Sequence, residues 1–215
     1  MKALLTLLVL FFYLGGFAQV KFAVQKEKPN VICNDTTFVN ITDYSDNFII
    51  DMKYATIDNF LKAKVYDCAT CYLRYKTVKK LLEINSIVTK NKIKIKLFDC
   101  YRPLDIQKKM WALVSNPAFV ANPVVGSIHN RGCAVDLTLV DQYGAELDMG
   151  TPFDFFGPAA SHQYKKLNAT VKKNRLYLKT TMLLNGFASI DSEWWHYNLV
   201  NGASEKIANF KWTCD

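Results

Sequence analysis

Two short segments carry two of the chain's three histidines, and they constrain the fold more than any other feature. His129 and Asp136 lie together in the segment 127–136, and His196 ends the tetrapeptide Glu193-Trp-Trp-His196 some sixty residues later. Two imidazole nitrogens and a carboxylate suit zinc, and three protein ligands leave a fourth tetrahedral position open for water, as catalytic sites do. Glu193 then remains available as a base. A fold that uses this set must bring the two segments to one point.

The spacing of the second segment raises a geometric difficulty. On a regular strand, residues three apart face opposite sides of the sheet, so Glu193 and His196 could not both face one metal. A bulge or a strand end would have to lie between them. Cys133 lies between His129 and Asp136 in the sequence but is not predicted to be a metal ligand. The third histidine, His162, is predicted to be structural because no second ligand accompanies it at a metal-binding spacing.

The first residues, 1–18, have the pattern of a secretory signal peptide. Lys2 precedes an apolar run from Ala3 to Tyr13, and small residues at positions 16 and 18 suit cleavage. The run is short for a membrane span, although a retained N-terminal anchor is the alternative. We expect export to the periplasm or the medium and no stable membrane insertion after cleavage. An N-terminal arm over 19–36 and a single domain over 37–215 would follow.

The chain is basic, with a formal net charge of +8. Cleavage after residue 18 would leave +7, because Lys2 is the only charged residue removed. The lysines form no contiguous block, and no motif combines basic with aromatic residues as nucleic-acid-binding proteins do. The composition therefore predicts a solvated basic surface, which would suit an anionic cell envelope, and no nucleic-acid partner.

All six cysteines lie after the predicted cleavage site: Cys33, Cys68, Cys71, Cys100, Cys133 and Cys214. Disulfides are compatible with an exported protein. Because no second cysteine or histidine pair completes a zinc site, Cys68-Ala-Thr-Cys71 is predicted to form a local disulfide or to stay reduced. Cys33 and Cys214 lie near the two ends of the mature chain, and a bond between them is a further hypothesis.

The hydrophobic pattern predicts strands interrupted by helices without a regular β-α-β repeat. Alternating apolar residues over 92–99 are typical of a half-buried strand, and Asp136 should lie on the polar face of another. Arg102, before Pro103, is placed at a corner between strand and helix. Further strands are predicted over 38–41, 48–54, 134–139, 145–149 and 192–200, and helices over 73–90, 104–114 and 162–185. Ser161 is expected to cap the last helix and Gly186 to end it. This order indicates an α+β fold with a mainly antiparallel sheet flanked by helices.

The two segments and several others, taken in order, resemble the zinc D-Ala-D-Ala dipeptidases of the VanX type, which share the hedgehog/DD-peptidase-like fold. The resemblance covers about residues 37–200. Its motifs are Tyr54-Ala-Thr with Asn59-Phe60, Cys71-Tyr-Leu-Arg74, Asp99-Cys-Tyr-Arg-Pro103, Ser127-x-His-x-x-Gly-x-Ala-x-Asp136, Met149-Gly-Thr-Pro-Phe-Asp154 and Glu193-Trp-Trp-His196.

The resemblance implies a role for each residue of the candidate site. One zinc ion per chain would be held by His129, Asp136 and His196. Glu193 would be the general base, and Arg102 would stabilise the oxyanion of the tetrahedral intermediate. The remaining positions would bind the dipeptide or a related cell-wall peptide: Ser127, Tyr54 and Asp154. Asp154 is the expected partner of the substrate's free ammonium group.

The sequence is compatible with two other functions. A D,D- or L,D-carboxypeptidase could trim longer wall peptides with the same zinc site, and a hedgehog-like protein could keep the metal without catalysis. The presence of Glu193 and Arg102 argues against an inert site. The predicted signal peptide and the cysteines depart from the cytoplasmic members. Salvage of dipeptides released from the wall would suit an exported enzyme.

Overall fold

The structure is a computed structural model that describes residues 33–117 and 119–214. The predicted signal peptide and residues 19–32 of the predicted arm lie outside the described residues. Among the residues described, no helix combines the length and the apolar character that crossing a membrane requires.

Over residues 33–117 and 119–214, the fold consists of seven strands and three α-helices. The strands are β1 (Phe38–Asn40), β2 (Ile49–Ile50), β3 (Tyr72–Arg74), β4 (Lys94–Asp99), β5 (Ala134–Val140), β6 (Phe187–Ser189) and β7 (His196–Leu199). The helices are α1 (Tyr75–Thr89), α2 (Leu104–Leu113) and α3 (Ala169–Leu184). Five strands form the main sheet in the order β2-β4-β5-β7-β6, while β1 and β3 form an antiparallel pair. Only β2 and β4 are parallel in the main sheet. The predicted α+β class with a mainly antiparallel sheet is confirmed.

The central strand β5 lies in the core on both of its faces. All seven of its residues are buried, including Asp136 and Thr138. The predicted alternation is present, but the polar face does not meet bulk solvent. Burial of a carboxylate is costly without partners, so the position of Asp136 on this strand already indicates a site.

The first two helices follow the predicted pattern. Helix α1 buries Val78, Leu81, Ile84 and Val88, whose spacing forms one apolar stripe. Helix α2 begins directly after Pro103, which has the extended backbone of a helix N-cap. The predicted corner at Arg102 is therefore present.

The predicted start of the third helix was wrong. Helix α3 begins at Ala169, and Asn168 is its N-cap, with a side chain that accepts a hydrogen bond from the Val171 amide at 2.8 Å. Ser161 instead accepts from the Gln163 amide in a turn. An Asn cap satisfies an amide that the helix itself leaves unpaired. The predicted end is present, since Gly186 has a φ of +89° just beyond the helix.

Three predicted strands are shorter than expected. The segment 145–149 contributes only a bridge between Val140 and Glu146. The segment 48–54 yields two strand residues before a 3-10 turn, Lys53–Ala55. The segment 192–200 is a strand only over His196–Leu199, and β6 was not predicted.

Both hypotheses on cysteine pairing were wrong. The disulfides join Cys68 to Cys214 and Cys71 to Cys100, while Cys33 and Cys133 are free. Cys71 is buried at the start of β3 beside the end of β4, so it meets Cys100 rather than its sequence neighbour. Cys68 is partly exposed and faces the C-terminal segment.

Replacing Cys214 with Ser should lower the free energy of unfolding by about 2–5 kcal/mol, because the bond closes a loop of 146 residues. Urea unfolding of the oxidised proteins measures the change. Cys33→Ser, which breaks no disulfide, is the matched control and should change stability by no more than about 0.5 kcal/mol. Equal midpoints for wild type and Cys214→Ser would contradict the pairing.

Candidate metal centre and active site

The predicted ligands converge through the pairing of β5 with β7. Asp136 lies directly opposite His196 in this antiparallel pair. His129 reaches the same point from a 3-10 turn, His129–Arg131, just before β5. Gly132 ends that turn with a φ of +67°, and a Cβ there would lie 2.2 Å from the ring of Phe38. The turn therefore requires glycine at this position.

Polar atoms of these three residues face one another within a small volume. His129 Nε2 lies 3.2 Å from His196 Nδ1, which lies 3.0 Å from Asp136 Oδ1. The distance between His129 Nε2 and Asp136 Oδ2 is 3.4 Å. All three side chains are buried, and their ligand atoms lie within 4.8 Å of one another.

The outer nitrogen of each histidine is fixed by a protein acceptor. His129 Nδ1 lies 2.7 Å from the carbonyl oxygen of Cys100, which can only accept, so this nitrogen carries the proton. His196 Nε2 lies 2.9 Å from Asn198 Oδ1 and donates to it. Both inner nitrogens then present lone pairs beside the Asp136 carboxylate. Such a group of acceptors fits a cation, and outer hydrogen bonds of this kind orient metal ligands.

The charge state of Asp136 agrees with this role. Burial tends to raise the pKa of the Asp136 carboxyl, but the neighbouring His129 and His196 more than offset burial and hold the pKa below its usual range. A ligand carboxylate must be ionised, and Asp136 meets that requirement at any physiological pH.

Glu193 stands beside this group without belonging to it. Its Oε2 lies 4.0 Å from His196 Nδ1. Glu193 precedes a turn at Trp194 and Trp195, and β7 starts only at His196. The strand end predicted to be necessary is therefore present, and it aims both side chains at one place. Burial, followed by the charge of Asp136, raises the pKa of the Glu193 carboxyl.

Arg102 is held rigidly at the corner before α2. Its Nε and Nη2 donate to Asp99 Oδ2 at 3.0 and 2.6 Å, and its Nη1 donates to Gln107 Oε1 at 2.9 Å. The hydroxyl of Tyr66 donates to the other oxygen of Asp99 at 2.8 Å. A buried guanidinium with this many partners keeps its charge and its position.

Tyr54 and Asp154 form a second polar group in the same cavity. The Tyr54 hydroxyl donates to Asp154 Oδ2 at 2.9 Å. Burial raises the pKa of Asp154 well above its usual range, and repulsion from Asp136 acts in the same direction. The pKa of Tyr54 is also raised by burial, so its hydroxyl remains a donor. An arriving cation would favour the ionised form of Asp154.

Ser127 has a local structural contact as well as a place in the cavity. Its Oγ accepts a hydrogen bond from the His129 amide at 3.2 Å, and its own amide donates to Asn130 Oδ1 at 2.7 Å. These bonds hold the turn that presents His129.

Every predicted site residue lines one cavity of about 280 Å³. Its lining includes His129, Asp136, His196, Glu193, Arg102, Ser127, Tyr54 and Asp154. The size suits a small molecule or a short peptide end. His162 lies in a different part of the surface, and Cys133 contributes no atom to the three-ligand group.

Three supporting residues were missed by the sequence analysis: Asp99, Gln107 and Asn198. Asp99 and Gln107 lie three before and five after Arg102, so a search for partners of that cation would have found them. Asn198 lies two residues after His196, on the same face of β7.

Comparison with known proteins gives the family. The sequence model of the D-ala-D-ala dipeptidase family, Peptidase M15, matches residues 34–212. The chain belongs to this family. The predicted resemblance and the enzyme class, a metallopeptidase, are confirmed.

Curated relatives in the D-Ala-D-Ala dipeptidase family match along most of the chain. The D-alanyl-D-alanine dipeptidase of Escherichia coli is 34% identical over 84% of this chain and 94% of its own. That of Enterococcus faecium is 29% identical over 69% of this chain and 84% of its own. Among solved structures, VanYB in complex with D-Alanine-D-Alanine is 15% identical with a TM-score of 0.39, over 62% of this chain and 76% of that one.

Asn198→Ala should weaken zinc binding about 10–100-fold, because His196 loses the acceptor that fixes its tautomer and orientation. Titration of zinc against a competing chelator measures the affinity. Asn174→Ala removes an exposed amide that bonds Asp148, far from the ligands, and serves as the control. Unchanged affinity in Asn198→Ala would refute the role given to this hydrogen bond.

Proposed function

We propose that the protein is a zinc dipeptidase that hydrolyses D-Ala-D-Ala in cell-wall metabolism, with one zinc ion held by His129, Asp136 and His196. One observation carries the proposal. The buried ligand group, a free carboxylate at 4.0 Å from one ligand, and a Tyr54–Asp154 pair all line one small cavity. A single short peptide in this cavity could then contact the metal, the base and the group that binds its amino terminus at the same time.

The attack on the peptide bond needs a base and, later, an acid. Zinc, when bound, polarises the scissile carbonyl and lowers the pKa of water. Glu193 takes a proton from the attacking water and later gives a proton to the leaving amine. Because its pKa is raised, the protonated form of Glu193 is easier to reach, which suits a group that must accept a proton and later donate one.

Arg102 stabilises the negative charge that develops on the carbonyl oxygen. The hydrogen bonds that its guanidinium donates to Asp99 and Gln107 hold it in place before the substrate arrives, so no reorganisation is needed in the transition state. Arginine suits this position because it keeps its charge when buried.

Asp154 binds the free ammonium group of the substrate, with Tyr54 fixing the orientation of its carboxylate. The pKa of Asp154 is raised mainly by burial, so the ammonium must draw Asp154 into its ionised form. This pairing at a fixed distance from the ligands would select a dipeptide over a longer chain.

A carboxypeptidase is the second candidate, since it would use the same metal, base and arginine. Asp154, which lines the cavity beside Tyr54, favours the dipeptidase, because an acylated amino terminus would leave this group without a cation. We further propose that residues 1–18 direct export and that the exported enzyme hydrolyses dipeptides released from the wall.

Glu193→Gln should retain one zinc per chain and lose turnover by about 10²–10⁴-fold, because the base is removed while the ligands stay. Metal analysis and D-Ala-D-Ala hydrolysis are measured on the same sample. Glu146→Gln, at an exposed carboxylate that pairs with Lys96, should keep both properties. Loss of zinc in Glu193→Gln would mean that Glu193 is a ligand. Full activity of wild type after exhaustive chelation would exclude a metal mechanism.

Wild type should cleave D-Ala-D-Ala far better than N-acetyl-D-Ala-D-Ala, since the acylated substrate buries Asp154 unpaired at a cost of about 1–3 kcal/mol or more. Asp154→Asn should reduce the preference mainly by slowing cleavage of the free dipeptide. The kcat/KM values for both substrates give the result, and Asp67→Asn at an exposed carboxylate is the control. Equal cleavage of both substrates by wild type would favour the carboxypeptidase.

A further inference from the structure

Helix α3 and the segment before it carry a strongly one-sided charge. Between Asp154 and Asp191 the sequence contains six Lys or Arg residues and no Asp or Glu. The six are Lys165, Lys166, Lys172, Lys173, Arg175 and Lys179. They form no contiguous block in the sequence. Lys165 and Lys166 precede the helix, and Lys172 and Lys179 lie one above the other along it.

Two parallel stripes run along α3 with the same spacing. The buried stripe consists of Val171, Arg175, Leu178 and Met182. One residue further on, an outer stripe consists of Lys172, Leu176, Lys179 and Leu183. The four-three-four spacing places each set along one line of the helix. The outer stripe thus alternates cations with leucines.

The leucines distinguish this face from an ordinary solvated one. Leu176 is 66% exposed, Leu183 44% and Leu184 80%. Single exposed leucines are common in soluble proteins. Three on the outward side of one helix, beside lysines and without acids, form an amphipathic surface of the kind that lies in a membrane interface.

A groove beside this face adds to the positive charge. It measures about 650 Å³, lies between α3 and the segment 162–167, and is lined by Lys165, Lys172 and Lys179 without any carboxylate. Within the described part of the chain, none of these lysines forms an ion pair. Burial, and then repulsion from Lys179 and Arg175, lowers the pKa of His162 in this groove to about 4. A positive potential at the groove agrees with that direction.

We propose that the outer face of α3 docks on an anionic lipid surface, with Leu176, Leu183 and Leu184 in the headgroup boundary and the lysines at lipid phosphates. A second copy of the chain does not suit this face, because two such faces would bring like charges together. A soluble polyanion would bind the lysines, but it has no apolar part that would contact the leucines. The lysine–leucine alternation therefore favours lipid.

The test measures binding to vesicles and needs no enzymatic turnover, so its result is independent of the proposed reaction. Purified protein is sedimented with phosphatidylglycerol/phosphatidylcholine vesicles or with phosphatidylcholine vesicles alone. Mass spectrometry first shows that every variant has the same N-terminus. One variant combines Lys172→Gln, Lys173→Gln and Lys179→Gln. A second combines Leu176→Ser and Leu183→Ser.

Matched controls come from other surfaces of the chain. Lys64→Gln, Lys90→Gln and Lys94→Gln together remove the same charge from exposed positions. Leu113→Ser replaces a leucine that is 62% exposed at the end of α2. Thermal unfolding of each variant shows that the fold is kept.

Wild type should bind the anionic vesicles and not the neutral ones, and added salt should weaken binding. Each α3 lysine removed should lower partitioning about fivefold, and the leucine variant should also bind less, while both controls bind like wild type. The proposal would be overturned in favour of a soluble polyanion if the lysine variant lost vesicle binding while the leucine variant kept it. It would also be overturned if inorganic polyphosphate abolished vesicle binding equally in wild type and in the leucine variant. Equal binding by control and α3 lysine variants, no anionic-vesicle binding, or self-association through this face would also overturn it.

Discussion

The candidate site depends first on the register between β5 and β7. With Asp136 opposite His196, a carboxylate and an imidazole from two distant segments face the same cavity. A slip of one residue would turn one of them to the other face of the sheet, because side chains alternate along a strand. The pairing is held at the centre of the main sheet, where β5 is buried throughout, so the register is set by the whole core and not by the two ligands.

Around that pairing, the fold supplies a second layer of fixed polar groups. Cys100 accepts the outer hydrogen bond of His129 through its carbonyl, and its side chain is joined to Cys71 at the start of β3. The disulfide thus ties the end of β4 to the neighbouring strand pair at the place where a ligand is oriented. Asp99, one residue earlier, holds Arg102. A single strand end therefore positions both a ligand and the arginine proposed to act on the carbonyl oxygen.

The grouping of the candidate site residues was easier to predict from the sequence than the structure of the segments between them. Histidine occurs only three times in the chain, so the spacing of His129 and His196 is informative, and all eight predicted residues line one cavity. The start of α3 was missed because Ser161 and Asn168 are both acceptable N-caps, and only tertiary packing chooses between them. The cysteine pairs were missed because a disulfide depends on which segments meet in space, as those of Cys68 and Cys214 do. Asn198 was missed because an amide acquires its role only from the tautomer of a neighbouring histidine.

Three carboxylates share this cavity, and their surroundings separate the roles proposed for them. Asp136 faces two imidazoles, so its pKa is held low and it can serve as a permanent anion. Glu193 is partly buried, with His196 Nδ1 4.0 Å away, so burial raises its pKa and its proton can move. Asp154 accepts a hydrogen bond from a tyrosine and forms no ion pair with any residue that the structure describes. Burial raises its pKa, so its ionised form would be favoured only when a cationic ligand binds. In the proposed mechanism, the same chemical group, a carboxylate, would thus serve as metal ligand, base and recognition group, because each carboxylate meets a different neighbour. A fold tunes chemically similar side chains to different tasks by this means.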